Sequence, residues 1–343
     1  MTLRQTQDDR VVVGVIGAGA WGTALAQMLA SDGREVLLWA FEPEVVTAIN
    51  ADHRNPLYLP SATLAPTIRA TVDLADFAAI GTALVVTPAQ VLGKVLAGLP
   101  TPPRDLVLCS KGIEAGTGRL MNDVAREASS GSAIAVLSGP TFAHEVAAGL
   151  PTAVTLACSA GAGQWERLAP AIARPAFRPY YSDDVTGAEI GGAVKNVLAI
   201  ACGVVDGLAL GQNARAALIA RGYAEMLRFG EALGAKSETL AGLCGLGDLV
   251  LTCSSTSSRN FSLGKALGEG ASAADLMADR RTVAEGAFTA PVLAELAEAR
   301  GIAMPIVAAV DAILKGESAP KAVAQLLARP LKAELEAPKE WGA

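Results

Sequence analysis

The chain contains few of the residues from which metal centres and disulfide scaffolds are built. Its 343 residues include two histidines, His53 and His144, which do not stand at metal-ligand spacing, so we expect no metal site. The five cysteines are odd in number and form no CxxC pair. Because each lies among apolar or small residues, we expect reduced and buried thiols.

Positive charge is also scarce. The formal net charge is −6 and the isoelectric point is about 5.2, which argues against a nucleic-acid partner held by its phosphates. Any anionic ligand must therefore be bound by local cations, because the overall field of the protein is repulsive to it.

Long uninterrupted apolar runs are missing, although 51% of the residues are hydrophobic. The run Val197–Val205 ends at Asp206, well short of the roughly 18–20 residues that a membrane span needs. The segment Met1–Arg10 is polar and has no apolar region of the kind found in signal peptides. These features predict a cytoplasmic protein without a membrane span.

The order of patterns along the chain predicts an α/β fold with two domains. Over residues 10–186, short β-rich runs alternate with helical patterns, as in a Rossmann-type parallel sheet with crossover helices. The predicted strands are Val11–Ile16, Glu35–Trp39, Ala83–Thr87, Leu106–Ser110, Ile134–Ser138 and Thr152–Leu156. Residues 187–335 show no comparable β run and are predicted to form an all-helical substrate domain. Arg174–Asp184, with two prolines and two tyrosines, is the predicted junction.

A glycine-rich turn follows the first predicted strand. Gly17, Gly19 and Gly22 form a GxGxxG pattern that leads into the helical segment Thr23–Ala30. Glycines in this strand–turn–helix setting let a dinucleotide pyrophosphate approach the backbone at the helix N-terminus. Glu42, after the second strand, stands where an acid would bind the ribose hydroxyls; the alternative is a surface acid that begins the next helix.

Other strand ends carry residues suited to a ligand. Thr87 ends the third strand, Lys111 follows the fourth, and Gly139 and Thr141 follow the fifth. Ligands of open parallel sheets bind at the carboxyl ends of the strands, so these residues are expected at one edge. Each alone is typical of an ordinary turn, and it is their number at one edge that favours a binding site.

Lys195 is the one charged residue in the run from Ile190 to Val205. A helical lysine leans back over the preceding turn, which here contains Gly191 and Gly192. We expect its ammonium to overhang bare backbone where a small molecule lies, and burial there to lower its pKa. The alternative, equally weighted on position alone, is a lysine whose stem crosses apolar surface to reach water.

Farther along the helical half, Asp248 lies in apolar sequence and Thr252 follows it by one helical turn. A buried carboxylate requires a cation, and Lys195 is the expected partner. Arg259, flanked by Ser258 and Asn260, has the donors needed to bind a phosphate. The alternative for this serine-rich stretch is a flexible loop.

With these residues assembled, the chain closely resembles the bacterial NAD(P)-dependent glycerol-3-phosphate dehydrogenases. The matching motifs occur in family order over nearly the whole chain: GAGAWGTA at 17–24, SKGIE at 110–114, SGPTFA at 138–143, GGAVKNV at 191–197, GLGDLVLTC at 245–253, SRN at 258–260 and VAEG at 283–286.

The resemblance implies reversible reduction of dihydroxyacetone phosphate to sn-glycerol 3-phosphate with NAD(P)H, for glycerophospholipid synthesis. It implies that Lys195 is the proton donor and acceptor and that Asp248 supports it. The implied substrate-binding residues are Lys111, Gly139, Thr141, Asp248, Ser258, Arg259 and Asn260. The implied cofactor-binding residues are Gly17, Gly19, Ala20, Trp21, Gly22, Lys111, Ala143, Arg259, Val283 and Glu285. Asn196 and Thr252 match positions near the substrate, and relatives suggest a homodimer.

The chain departs from the family pattern at one position that bears on the choice of cofactor. Where many relatives have arginine or histidine after the second strand, this chain has Phe41, which weakens the expectation of a grip on the 2′-phosphate of NADPH. Arg54 is a possible substitute, so the sequence leaves NADH and NADPH both open. Ala20 replaces a serine common in relatives, where only the backbone amide would be needed.

Two other functions fit parts of the pattern. A β-hydroxyacid or 6-phosphogluconate type of dehydrogenase also places lysine and asparagine on a helix, but Asp248 and the motif Ser258–Asn260 argue against it. A dinucleotide-sensing module would share the fold, but it would not need a proton donor such as Lys195.

Overall fold

The computed structural model describes residues 13–278 and 284–331, and its first half is built around one sheet. Within these residues the sheet has eight strands in the order β3-β2-β1-β4-β5-β6-β7-β8. The strands are β1 Val13–Ile16, β2 Val36–Trp39, β3 Ile68–Thr71, β4 Thr82–Val85, β5 Asp105–Leu108, β6 Ala133–Ser138, β7 Thr152–Cys158 and β8 Phe177–Ser182. The order reverses between β1 and β4, which places a ligand crevice outside their carboxyl ends. The α/β fold class is confirmed.

Helices cover both faces of the sheet and then form the second half of the molecule. Those of the first half are α1 Ala20–Ala30, α2 Pro43–Asp52, α3 Leu92–Ala97, α4 Met121–Ala128, α5 Ala143–Ala147 and α6 Ala162–Ile172. Those that follow are α7 Val185–Gly207, α8 Gly211–Ala232, α9 Ser237–Leu240, α10 Asp248–Thr252, α11 Arg259–Gly268, α12 Ala273–Ala278, α13 Glu285–Ala299, α14 Pro305–Leu314 and α15 Ala319–Leu327.

Two strands were not predicted, and one of them corrects the predicted junction. Strand β8 occupies most of the segment Arg174–Asp184. Pro179 lies in this strand without breaking the sheet, because β8 is an edge strand and one side of its backbone needs no partner. Strand β3 was missed because it is a four-residue edge strand that contains Arg69.

The sequence predicted a parallel sheet, but one pair of strands departs from this, since β7 runs antiparallel to β6. A parallel return would need a crossover of a dozen or more residues, usually through a helix packed on the sheet. Here the segment between the two strands contains only the short helix α5, and the chain re-enters the sheet at the carboxyl edge. Gly139 and Thr141 are therefore held at that edge.

Helix α7 is the axis of the helical half, and its residues from Gly187 to Val205 are all buried. By length and hydropathy it is one helix that could cross a membrane, but its most apolar 18-residue window is 100% buried within the protein. Its apolar character on every face is explained by the helices and strands packed around it.

Glycines bring α7 and α11 into backbone contact. Spaced four residues apart, they form one stripe on each helix: Gly203 and Gly207 on α7, Gly264 and Gly268 on α11. A side chain at any of them would press against the main chain of the other helix. The two helices run in the same direction, with Gly264 against Ile200. This approach places the beginning of α11 beside the middle of α7.

Gly203→Ala is expected to lower the free energy of unfolding by roughly 1–3 kcal/mol, since overpacking forces the helices apart. The added Cβ would overlap the carbonyl of Phe261 and lie 2.7 Å from the backbone nitrogen of Lys265. Urea unfolding measures the effect. Gly163→Ala in α6, where nothing lies within 4 Å of the new Cβ, is the matched control and should be neutral or stabilising by up to about 1 kcal/mol. Equal effects of the two substitutions would contradict this account of the contact.

Candidate active site

The glycine-rich turn joins β1 to α1 at the carboxyl edge of the sheet. Gly17 has a φ of 117°, which a residue with a side chain rarely adopts, and a Cβ on Gly22 would overlap the carbonyl of Gly17. Gly19 caps α1 and faces open space, with no heavy atom within 4 Å of where a Cβ would be. The turn therefore leaves room for a pyrophosphate at the N-terminus of an eleven-residue helix.

Two hydroxyl groups at the same edge have no hydrogen-bond partner within the described residues. They are those of Thr87, after β4, and Ser138, at the end of β6, and both side chains are buried. Buried hydroxyls without a partner are uncommon in proteins and indicate a group that a ligand or water satisfies. Together with the open face of Gly19, they fit a dinucleotide and substrate bound along this edge.

Two lysines share one carboxylate at the centre of the site. Lys195 Nζ lies 2.6 Å from Asp248 Oδ1, and Lys111 Nζ lies 2.6 Å from Asp248 Oδ2. The Asp248 side chain is fully buried, with 0% of its surface exposed. Lys111 Nζ also lies 3.5 Å from the carbonyl oxygen of Gly139. The pair Lys195–Asp248 expected from the sequence is confirmed, while the second cation on the same carboxylate was not foreseen.

The position of Asp248 is set by an unusual turn. The segment Leu243–Gly247 is a π-helical turn, and Asp248 begins the short helix α10 directly after it. Such turns often occur at functional sites. One helical turn later, Thr252 donates its hydroxyl to the carbonyl of Asp248 at 2.6 Å and accepts from Lys195 Nζ at 3.0 Å.

The structure corrects the expected role of the two glycines before Lys195. A Cβ on Gly191 would lie 2.9 Å from the carbonyl carbon of Cys244, so the π-helical turn packs directly on that residue. Gly192 is covered by Ser138 and by the stem of Lys111. The backbone at Gly191 and Gly192 is thus covered by other residues and is not a surface on which the substrate lies. It lets the turn that carries Asp248 come close enough to reach Lys195.

Burial and competition for Asp248 separate the pKa values of the two lysines. Burial and the nearby charge of Lys111 lower the pKa of Lys195 to about 8, although Asp248 opposes the change. Burial also acts against the charge on Lys111, but there Asp248 outweighs it and raises the pKa. The side chain of Lys195 is the less exposed of the two, 7% against 14%. Lys195 is therefore the lysine that can lose its proton near neutral pH.

The beginning of α11 forms the far wall of the site. Asn260 donates to Asn196 Oδ1 at 3.0 Å and accepts from the backbone nitrogen of Gly286 at 2.9 Å, which joins α11, α7 and α13. Ser258 caps α11 by accepting from the backbone nitrogen of Phe261. Arg259 is exposed and, within the described part of the chain, makes no hydrogen bond or ion pair. Its guanidinium is therefore available to an anion.

Glu285, predicted to contact the cofactor, begins α13 next to this wall. Burial raises its pKa to about 7, against the lowering effect of Arg259, Lys111 and Lys195. The lysines and Arg259 therefore act on the same carboxyl group, which connects the Lys195–Asp248–Lys111 cluster with the start of α11.

The remaining predicted residues lie along the same edge, with one exception. Thr141 follows β6 and donates to the carbonyl of Gly139, and Ala143 begins α5. Ala20 and Trp21 begin α1. Val283 lies outside the described residues, so its predicted contact with the cofactor stays a prediction.

Tyr58, which was not among the predicted site residues, donates its hydroxyl to Glu42 Oε1 at 2.8 Å. It lies in a segment without regular helix or strand, and neither periodicity nor a motif marks it. A contact of this kind depends on how the segment folds back across α2, which local pattern does not specify.

Comparison with known proteins agrees with this architecture. Residues 12–163 match the N-terminal part of the NAD-dependent glycerol-3-phosphate dehydrogenase family, and residues 184–325 match its C-terminal part. A glycerol-3-phosphate dehydrogenase [NAD(P)+] of Erythrobacter litoralis is 78% identical over 324 residues, covering 94% of this chain and 98% of the relative. One of Caulobacter vibrioides is 56% identical over 327 residues, covering 94% and 98%.

A solved structure shows the same fold. The crystal structure of glycerol-3-phosphate dehydrogenase from Coxiella burnetii has a TM-score of 0.87 and 40% identity, covering 92% of this chain and 98% of that one. The two family matches follow each other in order, and the relatives align from end to end. The chain therefore belongs to the NAD(P)-dependent glycerol-3-phosphate dehydrogenase family.

Proposed function

We propose that the protein catalyses the reversible reduction of dihydroxyacetone phosphate to sn-glycerol 3-phosphate by NAD(P)H, with Lys195 as the proton donor and acceptor. The observation that carries this proposal is the buried cluster of Lys195, Asp248 and Lys111 at the carboxyl edge of the sheet. A reduced nicotinamide bound at that edge supplies the hydride to the carbonyl carbon.

Substrate binding uses the wall opposite the glycine-rich turn. Arg259, which is exposed and without a partner in the described residues, binds the phosphate in its planar fork of donors. Asn260 has one amide hydrogen left after its bonds to Asn196 and Gly286, and it donates this hydrogen to the phosphate. Binding of the phosphate end directs the carbonyl toward Lys195.

Proton transfer takes place at Lys195 Nζ. Of its three ammonium hydrogens, one is donated to Asp248 and one to Thr252, which leaves the third for the substrate carbonyl oxygen. As hydride reaches the carbon, the carbonyl oxygen takes that proton and the product hydroxyl forms. In the reverse direction neutral Lys195 accepts the hydroxyl proton.

Lys111 contributes a second positive charge next to the developing alkoxide. With one carboxylate between two ammonium groups, the cluster has a net charge of +1, which stabilises negative charge on oxygen in the transition state. The charge of Lys111 also lowers the pKa of Lys195, so that the acid works near neutral pH.

The assay that tests the proposal follows NADH and NADPH oxidation with dihydroxyacetone phosphate, and with a panel of small 2- and 3-oxo acids. We expect turnover with dihydroxyacetone phosphate and none with the acids, because they lack a phosphate for Arg259. Faster turnover of an oxo acid than of dihydroxyacetone phosphate would favour a hydroxyacid dehydrogenase. Binding of the dinucleotide without any turnover would favour the sensing module.

Four further features complete the proposal. The domains are residues 10–186 for the dinucleotide and 187–335 for the substrate. The enzyme forms a homodimer and works in the cytoplasm, where its product feeds glycerophospholipid synthesis. Size-exclusion chromatography with light scattering tests the dimer.

A further inference from the structure

We propose that the protein has a second binding site, for a phosphate group, at the edge of the sheet opposite the candidate active site. The site is a cavity of about 280 Å³ lined by Arg126, Ser129, Ser130, Ser132, Ile134 and Ser159. Four of these six residues are serines and one is an arginine, so the lining is rich in the hydrogen-bond donors that an oxyanion requires. This inference goes beyond the proposed dehydrogenase activity and does not depend on it.

The cavity lies at the amino end of β6. On one side is the turn after α4, in which the backbone nitrogen of Ser132 donates to the carbonyl of Ser129 at 3.1 Å. On the other side is Ser159, which follows β7 and whose backbone nitrogen donates to the carbonyl of Ile134 at 3.1 Å. The active-site residue Ser138 is at the opposite end of the six-residue strand β6, about 17 Å away. A ligand in this cavity is therefore separate from the active site.

The floor of the cavity contains a buried hydroxyl group that a ligand can satisfy. Ser129 is only 1% exposed, and its hydroxyl has no hydrogen-bond partner within the described residues. The neighbouring Ser132, by contrast, donates its hydroxyl to the carbonyl of Pro103. A buried hydroxyl without a partner costs free energy, and a bound oxyanion at this place accepts its hydrogen. This hydroxyl distinguishes the cavity from an ordinary surface depression.

The rim of the cavity supplies the positive charge. Arg126 is exposed in the last turn of α4, and its Nε donates to Asn122 Oδ1 at 3.0 Å. Its two terminal nitrogens make no hydrogen bond or ion pair with any residue that the structure describes. The bond through Nε thus orients the guanidinium and leaves the terminal nitrogens to a phosphate. Ser130 and Ser159 are exposed at the same rim and add two further hydroxyl groups.

The charges around the cavity favour an anion. Of the described residues, none that lines it carries a carboxylate. Glu127, which follows Arg126, is paired with Arg119. Asp105, at the start of the neighbouring strand β5, is paired with Arg167 at 3.0 Å. The C-terminal carbonyls of α4 act against a negative ligand, and the guanidinium of Arg126 in the last turn offsets them.

The test measures binding of inorganic phosphate by titration calorimetry in Arg259→Gln, which lacks the phosphate contact proposed for the active site. We expect this protein to bind phosphate, and the additional change Arg126→Gln to weaken binding by at least about tenfold, because charge-assisted hydrogen bonds are lost. Ser129→Ala should weaken it severalfold. Without phosphate, Ser129→Ala should unfold at the same temperature as its parent or higher, since it removes a buried hydroxyl that has no partner.

A second arm of the titration uses glycerol 2-phosphate and distinguishes the source of the phosphate group. Tighter binding of this ester than of inorganic phosphate would support a phosphate ester as the ligand, since the cavity then also holds the organic part. Equal binding would support free phosphate. In both cases the affinity should depend on Arg126.

Arg221→Gln is the matched control, because Arg221 is an exposed arginine on α8 that does not line the cavity, and it should leave phosphate affinity unchanged. Anomalous diffraction from crystals soaked in selenate should place the anion between Arg126 and Ser129. Phosphate affinity that is the same in Arg126→Gln and Ser129→Ala as in their parent would overturn the inference. Selenate in the cavity without measurable affinity for phosphate in solution would show an adventitious ion only, and it would overturn the inference as well.

Discussion

Replacing Lys195 by methionine is expected to lower kcat for dihydroxyacetone phosphate reduction by about 10²–10⁴-fold, the usual contribution of a positioned acid. Methionine keeps the length and apolar stem of the side chain but has no proton to donate. The fold should persist, because Lys111 still neutralises Asp248 at 2.6 Å. The affinity for the dinucleotide should stay near that of the wild type, since the proposed role of Lys195 is to act on the carbonyl oxygen of the substrate and not on the cofactor phosphates.

The pH dependence gives a second measure of the same role. Because the pKa of Lys195 is lowered to about 8, its charged form is lost as pH rises through that value. Reduction of the ketone requires the charged form, so its kcat should fall above about pH 8. Oxidation of glycerol 3-phosphate requires the neutral form, so its rate should rise over the same range.

Lys94→Met provides the matched control, because Lys94 is an exposed lysine on α3 outside the site, and its kcat should match the wild type. Assays of both variants from pH 6 to 10 separate the alternatives. If Lys195→Met keeps kcat within about tenfold of the wild type, another group transfers the proton. The same conclusion follows if the variant still shows the fall in kcat above about pH 8.

Replacing Asp248 by alanine is expected to cost about 3–5 kcal/mol of unfolding free energy, because it leaves two buried ammonium groups without their shared carboxylate. The same loss lowers the pKa of Lys195 further, since the carboxylate that most strongly favours its charge is gone. The variant should therefore be both unstable and inactive in ketone reduction at neutral pH.

Asp248→Asn keeps the shape and one hydrogen-bond acceptor, and it distinguishes charge from packing. We expect a smaller loss of stability, with the pH optimum for ketone reduction moved to lower pH because the pKa of Lys195 falls. Urea unfolding and pH–rate profiles measure the two effects. Asp183→Ala, which removes an exposed carboxylate paired with Lys236, should leave both properties nearly unchanged. An unaltered pH optimum in Asp248→Asn would show that Asp248 does not control the charge of Lys195.

The elements that the sequence predicted well are those with a local physical cause. The strand before Gly17, the glycine-rich turn and helix α1 follow from apolar runs and from glycines that a close phosphate approach requires. The pair Asp248 and Thr252 follows from helical spacing, and the partner of Asp248 follows from the cost of burying a lone charge. The edge strands β3 and β8 were missed because short, partly exposed strands have little apolar pattern.

The features that the sequence did not predict depend on contacts between distant residues. Lys111 and Asp248 are 137 residues apart, and their 2.6 Å contact exists because the stem of Lys111 packs on Gly192 of α7 while the π-helical turn packs on the adjacent Gly191. The role of Gly191 was misread for the same reason, since local geometry shows a bare backbone but not what packs on it. Tyr58 and Glu42 likewise meet only because the segment after α2 folds back.

The sequence by itself determined the α/β architecture, the order of the family motifs and the chemical groups available for hydride and proton transfer. These are properties of residue type, spacing and burial cost, which act along short stretches of chain. Only the tertiary structure decided that two lysines share Asp248 and that Lys195 is the one with the lowered pKa. That outcome depends on relative burial and on the distance between charges, and both are set when the helical half packs against the sheet.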